Sequence, residues 1–298
     1  MPPRDGKAAT PKSLCVVIPT LNEALHVARL IESVKPLKAP VLVVDSVSTD
    51  DTQAIARRAG AEVVERAWPG YAAQKNWALG LLRERGFEWA LFLDGDEYLT
   101  PESCREISAV TSEGSSAGWY IARRYIFQGR ELRHAWWYPD HQLRLFRISS
   151  GVFEDRAVHE HVVVDGVVGV LEHPLIHENL KGVDDFLQRH MHYARLEAAE
   201  IKAGTKTDHK GSFFGTWFER RRAVKFHLWR RLSHRPLIRF LWLYVVKRGF
   251  LDGREGRIYC QLIAAYESMV DAYLLELAMS GDSSTLASPG VEVEPPST

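Results

Sequence analysis

The sequence predicts an α/β fold: a Rossmann-like, mostly parallel sheet flanked by helices, with a helical extension at its C-terminal end. Over about the first hundred residues, short β-branched apolar runs alternate with stretches whose apolar residues recur every three or four positions, which is the alternation of βαβ units. The runs are apolar at successive positions, as strands covered on both faces must be. From Asp184 onward strand signals stop and long helical periodicities take over.

Each element follows in order. Leu14 to Pro19 (LCVVIP) reads as a strand, TLNE as a polar turn, and Val27, Leu30, Ile31 and Val34 as a helix face. Val41 to Val44 is the second strand; Ser48 to Asp51 opens a helix carrying Ile55, Ala56 and Ala59 that ends before Gly60. Glu62 to Glu65 is a third strand, Gln74 to Arg83 a third helix, and Trp89 to Leu93 a fourth strand running into DGDE. From about Gly118, strands separated by polar turns are expected (GWYIARRYIF, QLRLFR, HVVVDG). Asp184 is expected to cap a helix with Leu187, Met191, Ala194, Ala198 and Ile201 on one stripe. A last helix carries Ile258, Leu262, Ala265, Met269, Tyr273 and Leu277.

The composition is globular: 298 residues, 46% hydrophobic, with 38 basic and 38 acidic side chains. Collagen-like, low-complexity and wholly disordered chains are excluded. Cys15, Cys104 and Cys260 are scattered without CxxC spacing, which argues against a disulfide framework or a thiolate zinc site and for a reducing compartment. Between Glu219 and Arg257 twelve basic residues face three acidic ones, so a zero net charge hides a strongly basic segment. Residues 1–12 and 280–298 read as disordered tails, 13–180 as one domain and 181–279 as a helical, basic region. No signal peptide is expected, and no run reaches the roughly 18 to 20 apolar residues of a membrane span. The longest apolar stretch, PLIRFLWLYVV from Pro236 to Val246, is too short and contains Arg239, so it must pack on protein or lie at an interface.

In doubly wound sheets, ligands bind beyond the carboxyl ends of the strands. The residues there are Pro19, Thr20, Asn22 and Glu23; Asp45, Ser46 and Ser48; Gln74, Lys75 and Asn76; and Asp94, Asp96 and Glu97. The first loop lacks GxGxxG and the chain lacks GxxxxGK[ST], which argues against nicotinamide hydride transfer and P-loop chemistry. Asp94-Gly95-Asp96 instead offers two hard oxygen ligands, with Gly95 expected to let the chain turn tightly between them. Such a pair suits Mg²⁺ or Mn²⁺ bridging the phosphates of a nucleotide. Asp45 could accept hydrogen bonds from a base or ribose, or cap its own helix; Lys75 could neutralise a diphosphate, or simply be solvated.

Taken together and in order, VVIPTLNE, VLVVDSVSTDDT, GYAAQKNWAL, LFLDGDE, WYPDHQLRLFR and VHEHV resemble the family 2 glycosyltransferases, in particular the bacterial subgroup that adds sugars to lipopolysaccharide inner core. The resemblance covers roughly residues 14 to 180 and extends more weakly through KRGFLDG to about residue 277. It implies a glycosyltransferase A fold, a nucleotide-sugar donor such as UDP-glucose, a divalent cation (Mg²⁺ or Mn²⁺), and transfer of a hexose with inversion to a lipid-linked glycan. It puts Pro19, Asn22, Glu23, Asp45, Lys75, Asn76 and Asp94 at the nucleotide and Asp94 and Asp96 at the metal. One departure is Val47, where the related DSGSTD pattern has Gly; a turn needing positive φ would strain Val47.

Transfer needs a base for the acceptor hydroxyl. Glu160, in His159-Glu160-His161, falls where family members carry their acidic catalytic residue, and Asp140, in Tyr138-Pro139-Asp140, is the rival. His159 or His161 could join the metal shell, and Arg144 and Arg147 could bind diphosphate. HPLIH (His173 to His177) lacks HExxH and is assigned no metal. Arg220, Arg221, Arg222, Lys225, Arg230 and Arg231, interleaved with Phe218, Phe226, Trp229 and Leu232, suit an anionic membrane surface. The resemblance favours that partner, at the cytoplasmic face of the inner membrane, and nucleic acid is not expected. Two other classes remain: a nucleotidyltransferase, whose basic glycine-rich loop is missing here, and a non-catalytic basic-helix membrane-binding protein.

Overall fold

The structure is a computed structural model that describes residues 12–113, 116–154, 162–203, 232 and 234–279. Two compact units are present, one drawn from residues 1–126 and 138–180, the other from 127–137 and 181–294.

In the first unit the chain runs β1 (Lys12–Thr20), α1 (Val27–Val34), β2 (Val41–Asp45), α2 (Thr52–Arg58), β3 (Glu62–Glu65), α3 (Tyr71–Glu84), β4 (Phe87–Phe92), β5 (Glu97–Tyr98), α4 (Pro101–Glu113) and β6 (Gly118–Phe127). After β7 (Arg130–Glu131), which belongs to the second unit, it returns through β8 (Asp140–Arg147), β9 (Gly151–Phe153), β10 (Val162–Val164), β11 (Val168–Val170) and β12 (Leu175–Glu178). The main sheet has the order β3-β2-β1-β4-β8-β6-β12-β5, with β11 beside β6. β3, β2, β1 and β4 are parallel, and β8 enters antiparallel between β4 and β6.

The unbroken apolar runs have the expected cause. In β1, Leu14, Val16 and Ile18 point into one core with Val27, Leu30, Ile31 and Val34 of α1 and Ile107 of α4. Cys15 and Val17 point into the other, with Ala72, Ala78, Leu79 and Leu82 of α3 and Phe92, Phe146 and Phe153. Alternate side chains thus serve opposite faces, and neither face is free for a polar residue. Helix α3 begins at Tyr71, three residues before the expected start, because Gly70 (φ 114°) supplies the turn that launches it.

The second unit is helical: α5 (Gly182–Lys202), α6 (Arg235–Leu241), a wide helical turn over Trp242–Val246, a tight one over Gly249–Asp252, and α7 (Gly253–Met279) packed against α5 and α6. Asp184 does not cap α5; the helix starts at Gly182, so Asp184 and Asp185 lie in its first turn, where carboxylates favour the helix dipole from inside the helix. The buried stripe keeps Ala194 and Ala198 of the expected one and departs from it elsewhere. Phe186, Ala194 and Ala198 are buried while Met191 is exposed, and Phe186 stacks on His190 at 3.8 Å. In α7 the buried positions are Gly256, Tyr259, Cys260, Ala264, Glu267, Val270 and Leu277, so of the expected stripe Leu277 alone is fully buried.

KRGFLDG closes this unit. The Asp252 carboxylate accepts from the backbone N–H groups of Arg133 (3.2 Å), His134 (2.8 Å) and Ala135 (2.7 Å). A β-carbon at Gly256 would stand 2.5 Å from both Asp252 Cβ and Gly249 O, so the close approach requires glycine there.

Candidate functional site

The chain forms β1, β2 and β3 in one direction across the sheet, then crosses back to place β4 on the other side of β1. This reversal is the point at which an open α/β sheet leaves a crevice beyond its strand ends. Pro19 and Thr20 lie past the last β1–β4 pair, Val17 with Phe92, and the loops after β1, β2 and β4 meet there.

The first two loops are interlocked. Ser48 Oγ and Thr52 Oγ1 accept from the backbone N–H groups of Asn22 (2.9 Å) and Glu23 (2.7 Å), and Asn22 Oδ1 accepts from Thr49 N at 2.8 Å. Asp45 is fully buried and accepts four hydrogen bonds, from Thr20 Oγ1 (2.8 Å), Ser48 N (2.8 Å), Ser48 Oγ (2.6 Å) and Gln53 Nε2 (2.8 Å). Its lone pairs are therefore committed to holding the loop. Glu23 is likewise buried: its Oε2 lies 2.5 Å from His26 Nδ1, and His26 Nε2 accepts from Leu180 N at 2.8 Å. That second bond puts the His26 proton on Nδ1, where it is donated to Glu23.

Val47 sits in this loop at φ 65° and is 48% exposed. The turn does need left-handed backbone, where a β-branched residue is strained by roughly 1–2 kcal/mol. Val47→Gly is expected to stabilise the protein by about 1 kcal/mol, since glycine's greater unfolded freedom takes back part of the gain. A thermal midpoint raised by roughly 2–4 °C would show it, and an unchanged or lowered midpoint would refute it.

The reason for Gly95 differs from the expected one. Its φ is not left-handed; instead, a β-carbon would fall 2.7 Å from Glu23 Cγ. Glycine is required by the side chain packed on it, which His26 and Leu180 hold in place.

Around Gly95 the two aspartates separate. Asp94 lies between two cations: Lys75 Nζ is 3.8 Å from Oδ1, and the Arg144 guanidinium bonds Oδ2. The same Arg144 nitrogen donates to Glu97 Oε1 at 2.6 Å, and Arg123 lies 3.6 Å from that oxygen while binding Asp140. The result is an alternating chain: Lys75, Asp94, Arg144, Glu97, Arg123, Asp140. Burial opposes ionisation of Asp94, but Arg144, Lys75 and Arg123 outweigh it and hold its carboxyl well below the usual carboxylate range. For Glu97, burial together with the Asp94 charge prevails over the two arginines, and the pKa is pushed up to about 7.

Asp96 stands apart. It is fully buried, and its Oδ1 accepts no hydrogen bond among the described residues. His177 Nδ1 lies 3.3 Å from that oxygen. The stretch HPLIH, assigned no metal from its spacing, thus delivers its last histidine to the acidic loop, because β12 pairs with β5 in the register that sets His177 opposite Glu97.

The other expected residues are engaged as follows. Asn76 accepts from Phe153 N (2.9 Å) and donates to Phe153 O (2.8 Å), fastening α3 to β9. Asp140 opens β8, bound by Arg123 and by Gln142 Nε2 at 3.1 Å. Arg147 pairs with Glu88, on the far end of β4. Glu160, His159, His161 and the basic stretch from Phe218 to Arg231 lie outside the described residues.

Residues 15–158 match the family described as glycosyl transferase family 2. Over these residues, just under half of the chain, it is similar to the family 2 glycosyltransferases. The domain's sheet, with β3-β2-β1-β4 continued by antiparallel β8 and β6, is the expected glycosyltransferase A fold. An uncharacterized glycosyltransferase of Rickettsia conorii is 45% identical over 105 residues, covering 35% of this chain and 36% of that protein; the matched stretch is therefore about a third of its relative. An uncharacterized glycosyltransferase of Rickettsia typhi is 25% identical over 280 residues, 90% of this chain and 88% of its own. Among solved structures, the mannosyltransferase PcManGT from Pyrobaculum calidifontis, in complex with GDP-Man and Mn²⁺, covers 92% of this chain and 87% of its own at 15% identity and a TM-score of 0.47.

Proposed function

We propose that the protein is an inverting, metal-dependent glycosyltransferase that moves a hexose from a nucleotide-sugar, UDP-glucose, to a lipid-linked glycan of the lipopolysaccharide inner-core kind, working on an anionic membrane surface at the inner face of the inner membrane. The observation that carries this reading is the buried Asp96 Oδ1, which accepts no hydrogen bond among the described residues, at the strand switch point, beside His177.

A carboxylate oxygen and an imidazole nitrogen suit Mn²⁺ or Mg²⁺, and no cluster of three donors exists among the described residues. That fits a cation that takes its remaining ligands from substrate phosphates and water. Asp96 and His177 would hold it. Bound there, it would offset the negative charge of the departing nucleoside diphosphate. Asp94, occupied by Lys75 and Arg144, keeps those cations aligned beside the phosphates rather than serving as a ligand itself. Pro19, Asn22, Glu23 and Asp45 shape the nucleotide cleft through the loop interlock, and Asn76 fixes the α3 end that presents Lys75. The domain spanning residues 13–180 does the chemistry, the helical region over 181–279 faces the membrane, and Glu160 removes the acceptor proton.

Calorimetric titration with UDP, GDP and CDP, each with and without Mn²⁺, tests this. One nucleotide should bind in a metal-dependent way, and Asp96→Ala should reduce its affinity to the metal-free level. If no nucleotide binds under either condition, the reading is lost to a non-catalytic, membrane-binding protein.

A further inference from the structure

Helix α6 and the wide turn after it are inside out. Arg235 is 4% exposed; it pairs with Asp271 of α7 and lies 3.8 Å from Glu267. Arg239, one turn on, donates to Glu267 at 2.6 and 3.0 Å. With the cations turned inward, the apolar side chains face outward: Leu237 is 57% exposed, Val245 54% and Val246 59%, with Leu241, Trp242 and Phe250 also exposed. Leu237, Leu241 and Val245 recur every four residues and form one stripe, flanked by Trp242 and Val246. A helix facing water places its residues the other way round. Six large apolar residues exposed within fourteen positions form a patch that calls for a partner.

The charges at its edge identify that partner. Arg248, Arg254 and Arg257 are exposed, and Lys247 lies 5.7 Å from the Trp137 ring. Of the nearby acids, Asp252 is buried on backbone N–H groups, Asp271 is engaged by Arg235, and Glu255 is half-buried, 4.0 Å from Arg130. The apolar stripe therefore has a positive rim, the combination that fits acyl chains below anionic phosphate headgroups. Among the described residues no helix is long and apolar enough to cross a membrane, so the stripe seats in one leaflet.

We propose that Leu237, Leu241, Trp242, Val245, Val246 and Phe250 insert into the interfacial layer of an anionic bilayer, with Arg248, Arg254 and Arg257 on the lipid phosphates. This deepens the membrane-facing part of the proposed function and rests on it only for the reason a bilayer matters. The attachment is part hydrophobic, so it differs from purely electrostatic attraction in its response to salt.

The test is sedimentation of the full chain with vesicles of phosphatidylethanolamine and phosphatidylglycerol, and with phosphatidylcholine alone, at low and high salt. Wild type should bind the anionic vesicles and retain part of that binding at high salt. Leu241→Ser with Val245→Ser should weaken binding about tenfold or more, while metal-dependent nucleotide binding stays unchanged. Brominated acyl chains should quench tryptophan emission in wild type and quench it less in Trp242→Phe. Vesicle binding by the double variant equal to wild type would overturn the proposal. So would a lipid-free dimer that the double variant dissociates, since the face would then belong to a second copy. A chain that binds vesicles but no nucleotide would sink the glycosyltransferase reading and leave this one standing.

Discussion

Glu160→Gln is expected to leave nucleotide binding as it is and to lower sugar transfer by about 10²–10⁴-fold, the usual contribution of a positioned general base. Glutamine keeps the size and hydrogen-bonding reach of the side chain but cannot accept the acceptor's proton. The rival, Asp140, has its oxygens engaged by Arg123 and Gln142, and Arg123 in turn reaches Glu97. Asp140→Asn should therefore act through the ion-pair chain, weakening nucleotide binding and turnover together by about tenfold. Single-turnover donor consumption in the presence of acceptor, alongside calorimetric binding, separates the two. Loss of turnover with intact binding in Asp140→Asn, and near-normal turnover in Glu160→Gln, would transfer the role of base to Asp140.

Much of the domain was legible because its physical causes are local. Strands β1, β2 and β4 are apolar on both faces, so their runs stand out, and their order along the chain placed Asp45 and Asp94 at strand ends. Val47 was legible too, as a β-branched residue at a position suited to glycine. What escaped was set by distant partners. Gly95 reads as a turn residue until Glu23 is seen lying on it. Asp94 and Asp96 look equivalent in DGD, but Lys75 and Arg144, the latter fifty residues on, make one an ion-pair partner, while the other accepts no hydrogen bond at Oδ1 among the described residues. His177 carries no local signal, since strand pairing brings it to Asp96. In α7 the expected stripe was out of phase, and in α5 it held only at Ala194 and Ala198, because His190 and Glu267 pack inward although their letters are polar, and Glu267 does so as the partner of Arg235 and Arg239.

Arg144→Met should cost about 3–5 kcal/mol of stability at pH 8, the range for removing one partner of a buried ion pair. Methionine fills much of the vacated volume, so the loss reports charge rather than a cavity. Arg144 is 8% exposed and serves two carboxylates, Asp94 and Glu97; without it they repel each other in a site that water barely enters, with Lys75 at 3.8 Å and Arg123 at 3.6 Å as the remaining counter-charges. The deficit should depend on pH with a definite sign. Glu97 in the folded protein already holds its proton up to about pH 7, and removing a cation raises that value further. In the unfolded chain a glutamate releases its proton near pH 4.3. A group that binds its proton more tightly when folded contributes stability at low pH and loses it as pH rises through the folded value. The gap between wild type and Arg144→Met should therefore widen between pH 5.5 and pH 8, as read from denaturant midpoints. Arg144→Lys, which keeps a charge but cannot span both carboxylates, should fall between them. A deficit below about 1 kcal/mol at pH 8 would mean that the two acids are solvated or otherwise neutralised, and that Arg144 does not set the charge balance on which Asp94 depends.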